Sequence, residues 1–432
     1  MINKKKLNIA IVGLGNIGLS LYKHLDQNKK SIVEKNNVNY EVKYVSAKNK
    51  NKKRKVSIPK NKWLSHYLKA STFKDIDIVV ELIGGSEGPA KKLVFNSIKN
   101  KKHVVTANKS LISKYGDQLG ILAEKNKVNI EYEAAVAGGI PIIRTLKEGL
   151  IANKTRKIYG ILNGTSNYIL SNMDRMNMSF QEVLKNAKKL GYAESNPKSD
   201  LNGDDVKSKI QILSALAFNC FINKTKINVE GINFIDKTDI KNANILGYKI
   251  KHLGLSEVTN GKLIQRAHPC LINKESRLSN VNGVLNAVII EGEPVGKSIL
   301  QGEGAGSGPT TSALVADICS VLRGNIKYPF SASFSKRKKI QSADLSNKIF
   351  SSYIRIDVLD KKGVLSEITK IMSKNKISVK RLIQSPFKQK KYASIIMISH
   401  KSKNRNFKKC LNTLSKKSFI IKKPKFIRIE EI

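Results

Sequence analysis

Leu7-Asn8-Ile9-Ala10-Ile11-Val12-Gly13-Leu14-Gly15-Asn16-Ile17-Gly18 sets an apolar, partly β-branched run directly against a Gly-x-Gly-x-x-Gly turn. The run has the composition of a buried strand, and apolar periodicity resumes at the last glycine and continues through Leu25 as a helix. Strand, turn and helix in that order make a phosphate cradle. Gly13 permits the tight turn, Gly15 lets the backbone approach a pyrophosphate, Gly18 lets the helix pack on the strand, and the helix N-terminus at Asn16 and Ile17 faces the anion. The spacing predicts a dinucleotide-binding unit.

Outward from this unit, strands and helices alternate. The second strand is expected over Glu41 to Ala47, where an NAD site would place an acid for the ribose hydroxyls. The chain instead continues Ala47-Lys48-Asn49-Lys50-Asn51-Lys52-Lys53-Arg54. Cations from Lys48 onward suit a 2′-phosphate, so NADP is the expected cofactor and NAD the alternative. A strand over Ile76 to Ile83 ends in Glu81-Leu82-Ile83-Gly84-Gly85. A helix around Ala90 to Lys99, a strand His103 to Thr106, the turn Thr106-Ala107-Asn108-Lys109, a helix through Lys125 and a strand Asn129 to Ala134 follow. This alternation predicts an α/β class with a doubly wound parallel sheet and ligands at the carboxyl ends of its strands. Glu81 to Gly85 and Thr106 to Lys109 lie at those ends and are expected to meet the nicotinamide half of the cofactor.

The character changes at Glu133-Ala134-Ala135-Val136-Ala137-Gly138-Gly139-Ile140-Pro141-Ile142-Ile143, small and glycine-rich before a helix that carries Pro141 near its first turn. Ile158 to Leu162 reads as a strand, and Asn163-Gly164-Thr165-Ser166-Asn167-Tyr168 as a polar turn into a helix. Leu263 to Ile290 suggests short strands in an antiparallel or mixed sheet. The loop Gly302-Glu303-Gly304-Ala305-Gly306-Ser307-Gly308-Pro309-Thr310 precedes an apolar helix, Thr311 to Leu322. Around Gly304 it is either a second place where backbone meets the cofactor or a tight turn.

Leu190 to Lys209 gathers Glu194, Asp200, Asp204, Asp205 and Lys209 among the turn formers Gly191, Pro197 and Gly203, so it folds back on itself. A helix then starts with Asn202 or Asp204 as its cap, and Val206, Ile210, Leu213 and Ala217 recur at helical spacing. Asp205 and Lys209 share a face. An acid four residues before a lysine is ordinarily an exposed pair worth about 0.3–0.5 kcal/mol, but the chain after Lys209 is almost wholly apolar to Cys220. Such a lysine is held near carboxylates and partly desolvated, as a proton donor or substrate-anchoring ammonium would be.

Asn325 to Lys348 is polar, basic and aperiodic, and reads as a linker. From Ser351 the pattern resumes: strand Ser351 to Leu359, helix Gly363 to Ser373, strands Ile377 to Ile383 and Lys391 to Ser399, helix Asn406 to Leu414 and strand Phe419 to Ile429. That βαββαβ order is a ferredoxin-like unit.

At 432 residues, 41% of them hydrophobic, the chain is expected to form two or three domains. Its 79 Lys and Arg against 33 Asp and Glu give a formal charge of +46. The lysines are spread along the whole chain with no aromatic-interleaved basic motif, so no nucleic-acid partner is expected, and the positive field suits an anionic substrate or cofactor. Cys220, Cys270, Cys319 and Cys410 form no metal-type pair and read as small core residues in a reducing compartment. No apolar run is long enough to span a membrane. The basic start imitates a signal peptide, but glycines interrupt the apolar region and no small-residue cleavage site follows, so a cytoplasmic protein is expected.

Taken together, Gly-Leu-Gly-Asn-Ile-Gly at 13–18, Thr-Ala-Asn-Lys at 106–109, the 133–143 segment, Gly-Ile-Leu-Asn-Gly-Thr-Ser-Asn-Tyr-Ile-Leu at 160–170, Leu-Gly-Tyr-Ala-Glu at 190–194 and the Asp200 to Lys209 segment resemble homoserine dehydrogenase, in order, over about residues 7–325. The resemblance implies interconversion of L-aspartate 4-semialdehyde and L-homoserine with a nicotinamide cofactor, a step toward threonine and methionine. By similarity Lys209 is the acid/base and Lys109 lies beside nicotinamide and substrate. Glu194, Asp200 and Asp205 match positions that hold the substrate's ammonium or orient the lysine, and Glu133, Val136, Gly138 and Ile140 match a monovalent cation site, such as one for Na+, built mainly from backbone oxygens. Gly13, Gly15, Asn16, Ile17, Gly18, Ala47, Lys48, Thr106, Lys109 and Gly304 are the expected cofactor contacts. The last unit resembles an ACT domain, with Asp360-Lys361-Lys362-Gly363-Val364-Leu365 at its first strand-helix turn and Lys362 where that family often has proline. Threonine feedback and a homodimer or homotetramer are the corresponding expectations. The implied architecture is a Rossmann domain over 1–135 completed by helix 307–323, an α+β substrate and dimerisation domain over 136–324, a linker over 325–350 and an ACT regulatory domain over 351–432. A different amino-acid dehydrogenase and a non-catalytic ligand sensor on the same fold are the alternatives.

Overall fold

The computed structural model describes residues 6–222, 227–324, 326–386 and 392–432. The start of the chain, residues 1–5, the first linker residue Asn325 and Lys391 at the head of a predicted strand lie outside these. Strands β1 (Lys6–Val12), β2 (Asn39–Ser46), β3 (Ile78–Glu81), β4 (His103–Thr106) and β5 (Ile130–Glu131) form one parallel sheet in the order β2-β1-β3-β4-β5. The Ile-Val-Val-Glu of β3 is buried throughout, as a strand covered by helices on both faces must be. Helix Ser307–Leu322 returns to this unit from far along the chain. Its Leu314, Ile318 and Val321 are fully buried in one cluster with Leu21 and Leu25 of helix Asn16–Gln27, and the Thr311 hydroxyl donates to Ser20 at 2.9 Å.

The first turn is held by steric fit. A Cβ on Gly13 would lie 2.4 Å from the Leu82 carbonyl oxygen, and one on Gly18 2.0 Å from the Gly13 oxygen, whereas around Gly15 nothing comes within 4 Å. Two glycines admit neighbouring backbone and the third faces open space. Gly18→Ala is therefore expected to push the turn off the helix, destabilise the fold by about 1–3 kcal/mol as overpacking does, and weaken nicotinamide-cofactor binding. A urea midpoint and a cofactor titration check both; an unchanged pair would contradict the fit described.

The second sheet contains β6 (Lys154–Ile161), β7 (Asn228–Val229), β8 (Tyr248–Thr259), β9 (Lys262–Asn273), β10 (Leu285–Glu293) and β11 (Gly296–Glu303), ordered β11-β10-β6-β8-β9 with β7 beside β9. It is mixed, as expected, but apart from the two-residue β7 the strands are not short. β8 and β9 pair antiparallel along their full twelve residues. The turn that makes this possible is Asn260-Gly261, both at positive φ (51° and 70°), a two-residue hairpin turn whose signal is plain in the sequence.

The terminal unit comprises β12 (Ile349–Leu359), β13 (Val379–Pro386), β14 (Tyr392–Ser399), β15 (Ser402–Lys403) and β16 (Lys425–Ile429), with helices Val364–Lys374 and Asn404–Leu414. Its strand order β16-β12-β14-β13 is ferredoxin-like. The unit is not a pendant. β16 also pairs in parallel with β9, placing Arg428 opposite Cys270, so one sheet runs through both units. Residues 326–348, read from sequence as a linker, are likewise built into the surface. Phe330 is 2% exposed, Tyr132 donates to the Pro329 carbonyl at 2.6 Å, and Arg337 pairs with Asp117 at 2.9 Å. The aperiodic sequence hid this because the segment is fixed by scattered side-chain anchors, isolated backbone bridges such as Lys338 with Asn219 and Phe221, and two single 3-10 turns rather than by a long helix or strand. Among the described residues no helix is long and apolar enough to cross a membrane.

Candidate active site

The fold-back expected at 190–209 forms as a short helix, Lys198–Asn202, joined by Gly203 to the helix Asp204–Ala217. Neither Asn202 nor Asp204 caps that helix by side chain. Gly203, at φ +90°, is the N-cap, because the reversal between two abutting helices needs a left-handed residue there. Asp205 and Lys209 do share a face. Lys209, 8% exposed, donates from Nζ to the Leu162 carbonyl at 2.6 Å and pairs with Asp205 Oδ2 at 2.9 Å.

The other oxygen of Asp205 faces Lys109 at 2.6 Å. Lys109 is the first residue of helix Lys109–Asn126 at the carboxyl end of β4, and its side chain is 40% exposed. One carboxylate thus bridges ammoniums from the two sheets' domains. Asn163 completes the cluster. Its Oδ1 caps helix Gly164–Met176 by accepting from the Ser166 amide at 2.7 Å, while Nδ2 donates to Asp200 at 2.8 Å and Asp205 at 2.9 Å. Sequence reasoning placed Asn163 only in a polar turn; its capping position before Gly-Thr-Ser was the available signal.

The cluster splits its two lysines. Burial pushes Lys209 below the usual lysine pKa, with the positive charge of Lys109 adding to the effect and Asp205 opposing it. At Lys109 burial acts in the same direction, but the charge and hydrogen bond of Asp205, with Asp200 and Glu194 behind it, outweigh it and raise the pKa. Asp205 is itself held well below the carboxylate range because Lys209 and Lys109 together overcome its burial. Burial and the neighbouring Asp205 raise Asp200. Glu194 is exposed at the rim.

Thr106 and Glu81 brace the carboxyl ends of β4 and β3. The Thr106 hydroxyl donates to Glu81 at 2.7 Å, and the other Glu81 oxygen accepts from the Ile83 and Gly84 amides. Asn108 donates to the Gly85 carbonyl at 2.7 Å. The Glu81 carboxylate, fully buried, therefore ties the two turns together instead of facing the cleft. The residues fit a dinucleotide: the helix starting at Asn16 has Gly15 at its N-cap with no side-chain cap, and that glycine faces open space. Lys48 is exposed beyond the half-buried Ala47, but Arg54 turns inward, donating to the carbonyls of Asn49, Lys50 and Lys52 and lying 5.0 Å from the Trp63 ring.

At the expected cation site both Glu133 carboxylate oxygens accept from the Ile143 and Arg144 amides at 2.8 Å. The Glu133 carbonyl also accepts from the Val136 amide at 3.3 Å, and among the described residues no group of three or more His, Cys, Asp or Glu side chains could hold a metal. Gly304 lies against this loop, its carbonyl oxygen 2.7 Å from where a Gly138 Cβ would be, and its own Cβ position is taken by Asn286.

Family models for the homoserine dehydrogenase catalytic domain, its NAD-binding domain and the ACT domain match residues 141–319, 13–133 and 352–416. A homoserine dehydrogenase of Neisseria gonorrhoeae is 38% identical over 99% of both chains. The chain belongs to the homoserine dehydrogenase family. It is accordingly an oxidoreductase using a nicotinamide cofactor, with an ACT ligand-binding domain at its end. The homoserine dehydrogenase of Bacillus subtilis is 34% identical over 95% of each chain. Among solved structures, the Thiobacillus denitrificans homoserine dehydrogenase superposes with a TM-score of 0.92 at 35% identity, covering 99% of this chain and 98% of that one. The Staphylococcus aureus homoserine dehydrogenase at pH 7.5 gives 0.76 at 31%, covering 99% of each.

Proposed function

We propose that the chain interconverts L-aspartate 4-semialdehyde and L-homoserine with NADP as preferred cofactor, in the cytoplasm, as a step toward threonine and methionine. The supporting observation is one buried carboxylate, Asp205, set between two ammoniums whose pKa values are driven apart. A pair split in this way offers one group that exchanges a proton and one that stays charged. The bound nicotinamide supplies or accepts the hydride. Lys209 gives its proton to the carbonyl oxygen as negative charge develops there, and takes it from the hydroxyl in the reverse direction. Asp205 and the Leu162 carbonyl aim that ammonium. Lys109 stabilises the oxyanion as a permanent cation, and Glu194 and Asp200 hold the substrate's ammonium. Gly13, Gly15, Asn16, Ile17 and Gly18 carry the pyrophosphate, with Thr106 and Gly304 toward the nicotinamide; the carbonyls at 133, 136, 138 and 140 hold a monovalent cation. Spectrophotometric reduction of NADP by L-homoserine tests the reading. Turnover with L-aspartate alone would mark an amine-oxidising dehydrogenase, and turnover with neither a ligand sensor.

The preference for NADP follows from Lys48 and the basic, acid-free stretch after Ala47, with Arg54 serving the loop's own carbonyls. A charge-assisted contact to the 2′-phosphate is worth about 1.5–3 kcal/mol, so kcat/KM with NADP should exceed that with NAD by at least about tenfold. Equal or better efficiency with NAD refutes the preference.

Units at 1–135 with helix 307–323, at 136–324 and at 351–432, the last two bridged by 325–350, are the proposed domains, in a homodimer or homotetramer. Threonine is the proposed effector of the ACT unit. Saturating threonine should inhibit homoserine oxidation severalfold; unchanged initial rates would remove threonine from the account.

A further inference from the structure

The terminal unit grips the catalytic unit through charge, and the gripped residues lie one step from the fold-back. Arg428 of β16, 2% exposed, sends Nη1 to both carboxylate oxygens of Glu230 at 2.9 Å. Arg355 of β12 donates to Asp236 at 2.6 Å and lies 3.0 Å from Asp239, which Lys425 also reaches at 2.9 Å. Both ends of the segment 230–239 are therefore held by the ferredoxin-like unit.

Between those ends the segment carries the fold-back. The Ile232 amide donates to the Leu201 carbonyl at 2.9 Å, and Asn233 Nδ2 donates to Asn202 Oδ1 at 3.1 Å. Gly231 allows this closeness, since a Cβ there would lie 2.4 Å from the Leu201 oxygen. Just before the segment, Val229 Cγ1 is 3.1 Å from where a Cβ on Gly203 would be. Asp200 rides on the helix so supported, and Asp205 follows Gly203 by two residues.

We propose that Glu230 and Arg428 are positioning residues for the reaction: their ion pair sets residues 229–233 beneath helix Lys198–Asn202, and through Gly203 fixes Asp200 and Asp205 relative to Lys209. The terminal unit then belongs to the scaffold of the active site, and any ligand that shifts β16 acts on the same cluster. Arg428 is buried and must keep an anion, so the segment follows wherever β16 places that guanidinium. This inference rests on the roles given to Lys209 and Asp205 above.

Glu230→Gln in the full chain keeps the shape and removes the charge. Expected is a loss of about fivefold in kcat/KM for L-homoserine, with the Kd for NADP unchanged. Amide hydrogen exchange over residues 198–206 should quicken while β1, β3 and β4 keep their protection. Arg428→Lys, which retains charge but not the planar fork, should fall between the two. Unaltered homoserine kinetics, unaltered exchange, or an equal loss of cofactor binding overturns the proposal. Should Glu230→Gln fail to fold, Glu230→Asp replaces it, with about a threefold loss expected and unchanged kinetics decisive against. A Lys209→Ala enzyme that still turned over would sink the acid–base reading instead, whatever the exchange data gave.

Discussion

Lys209→Ala is expected to lower kcat for L-homoserine oxidation by about three orders of magnitude, within the range that a positioned proton-transfer group contributes, while NADP affinity is kept. The two properties separate because of where the residues sit. Lys209 is buried in the second turn of helix Asp204–Ala217, its ammonium engaged by the Leu162 carbonyl and Asp205. The glycine turn at 13–18 belongs to the parallel sheet and shares no hydrogen bond with it. Lys109 stays at 2.6 Å from Asp205 and cannot replace the lost group, because its surroundings hold it protonated. Lys209→Arg should rescue almost nothing: a guanidinium keeps the charge but does not release a proton at working pH. Steady-state rates and a cofactor titration on both variants check this. Substantial turnover by the alanine variant would defeat the assignment.

The parallel sheet was legible because two local signals agree there: β-branched runs that are buried on both faces, and glycines whose missing side chains the packing requires. The pairing of Asp205 with Lys209 was legible from helical spacing alone. What spacing could not carry was contact between distant segments. Lys109 meets Asp205 only after two sheets are assembled, and Asn163 reaches Asp200 and Asp205 only because its amide is left free when its oxygen caps a helix. The joining of the terminal unit to the catalytic sheet was missed for the same reason, although a clue existed. Arg266 sits inside the apolar strand β9, fully buried, where an arginine is tolerable only with a matched anion. Glu257 across the hairpin takes Nη1, and Glu430, far along the chain, takes Nε at 3.0 Å and Nη2 at 2.9 Å. Asn260-Gly261 was a different kind of omission, since a purely local signal for the long hairpin stood in the sequence. The cap at Gly203 was misread because acids usually win that position, and here the reversal between two helices demanded positive φ instead.

Asp205→Asn should cut kcat by about a hundredfold and move the acid limb of homoserine oxidation to lower pH. The direction follows from signs. With Lys209 as the proposed base, oxidation needs it neutral, so the rate should rise with pH through the folded pKa of that lysine, which burial already places below the unfolded value. The charge of Asp205 works against burial by favouring the ammonium, and removing it lowers that pKa further. More neutral amine at a given pH does not restore speed, because the amine has lost its aim and Lys109 has lost its counter-ion. Stability changes with pH in a matching way. The folded pKa of Asp205 is depressed, so its carboxylate contributes stability that is present above the unfolded carboxylate value and is lost as pH falls through the folded one. The asparagine variant lacks that contribution throughout and should unfold with a shallower dependence on acid. Profiles of kcat against pH for both proteins, with acid-induced unfolding followed in parallel, decide the matter. A limb that stays in place or moves to higher pH would mean that the charge of Asp205 does not act on the proton-transferring group, and that some base other than Lys209 carries the titration.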